Sequence, residues 1–343
     1  FTPYLEMPHL EDYDLKIVNV QARQESRWQF DDAELNKLLD PAIKAFFLVN
    51  PGNPSAVALS DKTIAKIGAI LKKRPDLILL TDDVYGTFVP GFRSLLGAFP
   101  HNTIGVYSYS KYFGCTGWRL GVIAVHEDNL FDKLIAKHPE PVLGKLDKRY
   151  SAITLEPRKL RFIDRIVADS RDVALNHTAG LSLPQQVMMA LFSVYELMDA
   201  KKNYQKACIG IVKKRVEATL EGLGIEIVPN ELYDYYYGLI DLEFWARKYV
   251  GEDVVKWMKE NVHPLDFVFR LAEDHGIVLL NGSGFEAPDW SVRVSFANLN
   301  DHVYDDIGRA VRAVARSYRQ AYEASKGKAT KGESAKAKAR AKK

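Results

Sequence analysis

The chain has 343 residues, 47% hydrophobic and 27% charged, with a formal net charge of +3, which is ordinary globular composition for about two domains. Lys326–Lys343 carries eight Lys/Arg against Glu333, so this tail holds +7 and leaves the rest of the chain at −4. A mildly acidic body argues against nucleic-acid binding, and no apolar run approaches the roughly 20 residues of a membrane span.

Residues 1–40 alternate extended runs with polar turns and end in Asp31-Asp32-Ala33-Glu34-Leu35. This reads as a capped helix with Leu35, Leu38 and Leu39 as its buried stripe. Ala45-Phe46-Phe47-Leu48-Val49-Asn50 is a continuous apolar run of the kind found in strands buried on both faces. It stops at Asn50-Pro51-Gly52-Asn53-Pro54, which cannot continue a strand. A helix follows, with Ser60 as N-cap and Ile64, Ile67, Ile70 and Leu71 on one face.

Leu77–Leu80 is the next strand, ending at Thr81-Asp82-Asp83-Val84-Tyr85. Thr103–Tyr109 leads into Lys111, and Gly121–Val125 makes a further strand. This rhythm predicts an α/β fold with a mainly parallel sheet and helices on both faces, and functional groups at the carboxyl ends of its strands. Asn53, Asp82, Tyr85 and Lys111 all lie just past such ends.

Residues 126–180 read as a charged, mainly helical elaboration of a first domain spanning 1–185. A long helical pattern from Pro184 to about Leu223 serves as connector (186–223) to a smaller C-terminal α/β domain at 224–325. There the pattern predicts strands Ile225–Val228, Gly238–Leu242, Ile277–Leu280 and Val292–Phe296, with helices Pro264–His275 and Tyr304–Tyr322. The basic tail, 326–343, lacks apolar anchors and is expected to be disordered. Cys115 and Cys208 lack metal-ligand or framework spacing and read as reduced thiols of a cytoplasmic protein. His101, His126, His177 and His263 likewise show no ligand spacing and read as structural, with no metal expected.

A pyridine-type electron sink held beside Lys111 needs four kinds of support. Its ring nitrogen stays protonated against a buried carboxylate, for which Asp82 is placed. A ring oxygen needs donors, which Asn53 and Tyr85 supply. A phosphate needs hydroxyls and a fixed cation, supplied by Ser108, Ser110 and Arg119. A substrate carboxylate needs a planar fork, and Arg293 sits in Trp290-Ser291-Val292-Arg293-Val294-Ser295-Phe296, a strand otherwise unfriendly to charge. Each residue also has an ordinary structural reading. Asn53 can shape a turn, Asp82 or Asp83 can cap a segment, Tyr85 can edge a core, and both arginines can sit in ion pairs.

As an ordered set, Asn50-Pro51-Gly52-Asn53-Pro54-Ser55, Asp82-Asp83-Val84-Tyr85 and Ser108-Tyr109-Ser110-Lys111 through Arg119 resemble the fold-type I pyridoxal-phosphate aminotransferases over roughly residues 1–320. The resemblance implies pyridoxal 5'-phosphate as cofactor, with Lys111 as the Schiff-base lysine and Asp82 as the ring-nitrogen partner. Asn53 and Tyr85 then bind the ring oxygen, and Ser108, Ser110 and Arg119 the phosphate. Arg293, with Asn53, takes the substrate α-carboxylate, and Phe1 falls near the aromatic that stacks on the ring. Within the family, the text Ser110-Lys111-Tyr112-Phe113-Gly114-Cys115-Thr116-Gly117-Trp118-Arg119, the opening Phe1-Thr2-Pro3-Tyr4 and the insertion after His126 are most similar to the aspartate β-decarboxylases. Those members also transaminate aspartate. The likeness implies aspartate as substrate, carbon dioxide and alanine as products, and a homodimer or larger homo-oligomer.

Two alternatives stay open: an aminotransferase acting on another amino acid, and a non-catalytic module of the same fold. The chain also departs from the pattern. Ser55-Ala56 stands where Thr-Gly is usual, and the family's upstream phosphate-cradling turn and tyrosine do not occur, so a piece of a longer enzyme is expected. Arg149, Arg158, Arg161 and Arg165 are the candidates for the substrate's second carboxylate.

Overall fold

The computed structural model describes residues 15–173 and 180–340. A short helix α1 (Asp32–Asn36) continues as a tighter turn over Lys37–Leu39 and buries Leu35 and Leu38. Asp31 does not cap it, because its carboxylate accepts the Ser26 hydroxyl instead, at 2.7 Å. Strand β1 (Ala45–Val49) precedes helix α2 (Asp61–Lys73), whose Ser60 side chain accepts the Thr63 amide as the sequence predicts. Ile64, Ile67, Ile70 and Leu71 all face inward from α2, as expected from their spacing.

Strand β2 (Ile78–Asp82), helix α3 (Leu95–Ala98), strand β3 (Thr103–Ser108), the single turn α4 (Tyr109–Tyr112) and strand β4 (Gly121–Val125) follow. The sheet order is β1-β2-β3-β4. The first three strands run parallel and β4 antiparallel to β3. Leu79, Phe46 and Leu48 pack with α2 and Leu95 into one apolar core. The parallel register aligns Val49, Asp82 and Val106, which brings the ends of three strands to one edge.

The insertion forms α5 (Leu130–Ala136), α6 (Glu140–Tyr150) and α7 (Phe162–Val173). The predicted long connector is two helices, α8 (Leu183–Met198) and α9 (Asn203–Leu223). The break falls where Lys202 adopts φ 53° and the Asp199 carboxylate accepts the Tyr204 amide at 2.8 Å, a local bond that competes with helix continuation.

A second sheet holds β5 (Tyr237–Asp241), β6 (Leu280–Asn281) and β7 (Ser291–Ser295) in the order β5-β7-β6, antiparallel throughout. Helices α10 (Leu242–Tyr249), α11 (Glu252–Asn261) and α12 (Pro264–His275) lie between β5 and β6, and α13 (Val303–Arg340) ends the described chain. Two predicted strands are corrected. Ile225–Val228 is irregular, and Ile277–Leu280 contributes only Leu280 to β6. Both follow a glycine with positive φ, Gly224 and Gly276. In each case the next amide, of Ile225 or Ile277, turns back to close the preceding helix on Leu220 or Leu271.

Helices α9 and α13 cross with almost no separation. A Cβ on Gly222 would stand 2.6 Å from the Asp305 carbonyl oxygen, and one on Gly308 2.3 Å from that of Thr219. Only glycine permits this approach. The tail departs from expectation as well: the backbone is helical through Arg340, where the sequence predicts disorder from 326. Its alanines and lysines are strong helix formers with no proline to stop them. Among the described residues, no helix is long and apolar enough to cross a membrane.

Candidate active site

Lys111 lies in α4, immediately past the carboxyl end of β3. The Ser108 hydroxyl oxygen accepts the Ser110 amide at 3.2 Å and donates its own proton to the Leu120 carbonyl at 3.3 Å, which fixes the turn. Lys111 is half-buried, and its Nζ sits 5.8 Å from the centre of the Tyr236 ring. Among the described residues it has no carboxylate partner.

Asp82 ends β2, and its Oδ1 accepts the Val84 amide at 3.1 Å. Asp83 does a different job. It accepts the Thr81 hydroxyl at 2.5 Å, and burial pushes its carboxyl above the usual range. Tyr85 is 4% exposed and packs its ring 5.4 Å from both Tyr236 and Tyr237. Burial, then the neighbouring Tyr237, push its phenol far up, so it stays protonated as a donor.

Arg293 projects from β7, in register with Leu239 and Leu280. Its guanidinium lies between the rings of Tyr237, at 4.3 Å, and Phe285, at 4.4 Å. Its Nη1 donates to Asn53 Oδ1 at 3.1 Å, while Nε is buried without a hydrogen-bond partner. No acid pairs with it among the described residues, so the ion-pair reading of this arginine falls. A cation packed against two rings, one nitrogen already tied down and no acid paired with it among the described residues, is set to receive an anion on its remaining donors.

The structure therefore gathers Asn53, Tyr85, Lys111 and Arg293 around the Tyr236–Tyr237 pair, with Asp82 at the adjoining strand end. Ser108 and Ser110 stand directly before Lys111. Arg119 is exposed in a left-handed conformation, φ 55°, and donates to the Thr116 carbonyl at 3.0 Å. Among the described residues it makes no hydrogen bond or ion pair with the other site residues. Phe1 and His177 lie outside the described residues. His263 is structural in a specific sense, since its ring Nδ1 accepts the Leu265 amide as the cap of α12.

Three of the four insertion arginines are paired with acids, and the fourth, Arg165, leaves its Nη1 without a hydrogen-bond partner. Arg149 pairs with Asp169 at 2.9 Å, Arg161 with Asp164 at 2.8 Å, and Arg158 with Asp147 at 2.8 Å and with Glu140. Arg165 is buried over the Tyr150 ring and donates to the Leu160 and Pro157 carbonyls. Sequence reasoning missed Asp234, Tyr236, Tyr237 and Phe285. The run Tyr233-Asp234-Tyr235-Tyr236-Tyr237 was the available signal: an acid among four tyrosines, directly ahead of a strand.

The family model for aminotransferase class I and II matches residues 8–311. The chain is 48% identical over 325 residues to the bifunctional aspartate aminotransferase and L-aspartate beta-decarboxylase of a Pseudomonas species. That match covers 94% of this chain and 61% of the relative, so the chain spans about three fifths of the relative's length. Nicotianamine aminotransferase B of Hordeum vulgare is 24% identical, with 82% of this chain and 44% of that protein covered. Among solved structures, a double mutant of the Thermus thermophilus aspartate aminotransferase superposes with a TM-score of 0.63 at 18% identity, covering 92% of this chain and 67% of that one. That likeness concerns the fold alone.

Proposed function

This chain belongs to the aminotransferase class I and II family, and on that footing we propose that it binds pyridoxal 5'-phosphate and removes the β-carboxylate of L-aspartate, giving L-alanine and carbon dioxide. Aspartate transamination is its side activity. The architecture is fold-type I: a mainly parallel α/β sheet carrying the site, with a smaller α/β unit beside it. The observation that carries the proposal is the pair of cations, Lys111 and Arg293, each without an acidic partner among the described residues and each packed on one of two adjacent tyrosines.

The residues fit the cofactor. Lys111 would hold it covalently, Asp82 would keep its ring nitrogen protonated, and Asn53 and Tyr85 would donate to its ring oxygen. Asn53 still has its amide NH2 for this, because only its oxygen is engaged by Arg293. Ser108, Ser110 and Arg119 would take the phosphate once the Ser108 hydroxyl turns from the Leu120 carbonyl and Arg119 from the Thr116 carbonyl, and Phe1 would take the ring face. When bound, the cofactor supplies an electron sink beside the substrate Cα.

Everything else falls to the protein. Arg293, seated against Tyr237 and Phe285, fixes the α-carboxylate, and the Lys111 amine takes the Cα proton and returns it. The bond to the β-carboxylate breaks and carbon dioxide leaves. A proton replaces it on the same carbon, so aspartate plus one proton becomes alanine plus carbon dioxide. Three of the insertion arginines are already paired with acids, whereas Arg165 keeps a buried Nη1 without a hydrogen-bond partner and stays a candidate for that second carboxylate.

The same reading has the enzyme act as a homodimer or larger homo-oligomer in the cytoplasm. Helix α8 buries none of its residues, and Leu183, Val187, Leu191, Val194 and Met198 form one exposed apolar face at helical spacing. Cys115 and Cys208 are both free thiols.

The test is a visible spectrum of the full-length protein with pyridoxal phosphate, then carbon dioxide and alanine assays with L-aspartate. An absorbing band that shifts with aspartate, and equal release of both products, is expected. Preference for a neutral or aromatic amino acid over aspartate, or no turnover of any, would overturn the assignment.

A further inference from the structure

Asp234 is fully buried, and the mechanism above does not use it. Its Oδ1 accepts the Tyr236 amide at 2.7 Å, and its own amide donates to the Ala56 carbonyl at 2.8 Å. The Ala58 amide donates to the Leu232 carbonyl, and Val57 bridges Tyr233, so residues 56–58 and 232–234 are stitched together edge to edge. The Tyr233 hydroxyl donates to the Tyr237 carbonyl at 2.8 Å and tightens the same turn. Asp234 Oδ2 has no partner. A carboxyl buried with half its capacity unsatisfied is costly, and a serine or asparagine would cap the turn with less charge to bury.

The consequence lies in what this segment carries. Tyr236 lies 5.8 Å from Lys111 Nζ, and Tyr237 lies 4.3 Å from the Arg293 guanidinium, with the two rings 5.1 Å apart at 76°. The loop that receives the Asp234 amide also carries Asn53, which binds Arg293. The contacts therefore close on themselves. Asn53 holds Arg293, Arg293 lies on Tyr237, Asp234 orients Tyr236 and Tyr237, and Asp234 is tied to Ala56, three residues from Asn53.

We propose that Asp234 is a positioning residue for the substrate: by clipping the Tyr236–Tyr237 pair to the Asn53 loop, it sets where the Arg293 guanidinium stands relative to the Lys111 amine. The inference rests on the reading that Arg293 takes the substrate carboxylate. It adds that the spacing of the two cations is fixed from a side chain that touches neither. Asp234 acts at a distance and is not a catalytic residue.

The experiment pairs two measurements on the full-length protein. The first is hydrogen exchange without substrate. In Asp234→Ala the Tyr236 amide loses its acceptor, so its exchange accelerates about tenfold or more, while Asp234→Asn keeps the acceptor and the protection. The second is steady-state kinetics of the holoenzyme. Because Arg293 holds the carboxylate in ground and transition states alike, Asp234→Ala raises KM for aspartate about tenfold with kcat within about threefold, and Asp234→Asn restores KM. If the alanine variant does not fold, Asp234→Leu fills the same space without accepting a bond and gives the same KM rise. Unchanged Tyr236 exchange, an unchanged KM, or an asparagine variant as impaired as the alanine one overturns the proposal. An unchanged KM in Arg293→Gln would instead remove the substrate reading, and the exchange measurement decides the clip independently of it.

Discussion

Arg293 and Asn53 are 240 residues apart in the chain, yet Nη1 of the first lies 3.1 Å from Oδ1 of the second. The bond ties β7 of the second sheet to the loop behind β1 of the first. Arg293→Lys keeps the charge and loses both the planar fork and the fit between two rings. Loss of one charge-assisted hydrogen bond is worth about 2–3 kcal/mol, so kcat/KM for aspartate should fall roughly 30- to 150-fold. Steady-state kinetics on the full-length enzyme check this, and a fall under threefold would show that charge alone suffices.

Lys111→Ala removes the amine placed over the Tyr236 ring. The visible band with pyridoxal phosphate should vanish, together with the mass increment of the covalently held cofactor after reduction. Turnover should drop by about 10²–10⁴-fold or more, the usual contribution of a positioned proton carrier. Retention of the band would move the cofactor's attachment elsewhere.

Burial pushes the Asp234 carboxyl well above the usual carboxylate range, with Tyr236 backbone bonding only partly opposing it. The groups facing it are the phenols of Tyr85, Tyr233 and Tyr236, and among the described residues no cation relieves it. The folded state thus keeps a proton that the unfolded chain loses near pH 4. Stability from this residue is fully present below that pH and is lost as pH rises toward the folded value. Asp234→Asn has no proton to lose, so its melting temperature should gain on the wild type steadily as pH rises above about 4. Parallel curves across pH 4–8 would contradict this.

The α9–α13 crossing gives a stability prediction with a built-in control. Gly308→Ala gains about 1 kcal/mol of helix propensity but drives a methyl to 2.3 Å from the Thr219 carbonyl oxygen. Overpacking against backbone costs about 1–3 kcal/mol, so the clash wins and the variant is destabilised. Gly210→Ala, in the same α9 helix with nothing within 4 Å of the added Cβ, should be stabilised by about 0.5–1 kcal/mol. Denaturant unfolding of the pair reads both signs.

The parts of this fold that were legible in the sequence are those governed by neighbours in the chain. Ser60 caps α2 because its partner is three residues away, and Ile64, Ile67, Ile70 and Leu71 face inward because helical periodicity alone puts them on one side. Lys111 and Asp82 were visible because a parallel strand presents its carboxyl end wherever it stops. The missed features depend on distant contacts. Ile225 and Ile277 have strand-like surroundings, but their amides are used by the helices before them. Tyr237 and Phe285 matter only because Arg293 lies between them, and the insertion arginines look available until Asp147, Asp164 and Asp169 fold against three of them.

Helix α9 touches both ends of the molecule. At its start the Tyr204 hydroxyl donates to the Tyr112 carbonyl at 2.9 Å, and Gln205 donates to the Thr87 carbonyl at 2.8 Å, next to the turn that bears Lys111. At its far end Gly222 is pressed against Gly308 with no side chain between the backbones. Its 21 residues span about 31 Å. Val212, Val216, Thr219 and Leu223 are buried along it, so the helix is held over most of its length. One packed strut thus joins the lysine turn to the glycine crossing, and a substitution at Gly222 or Gly308 acts on the same element that braces Lys111.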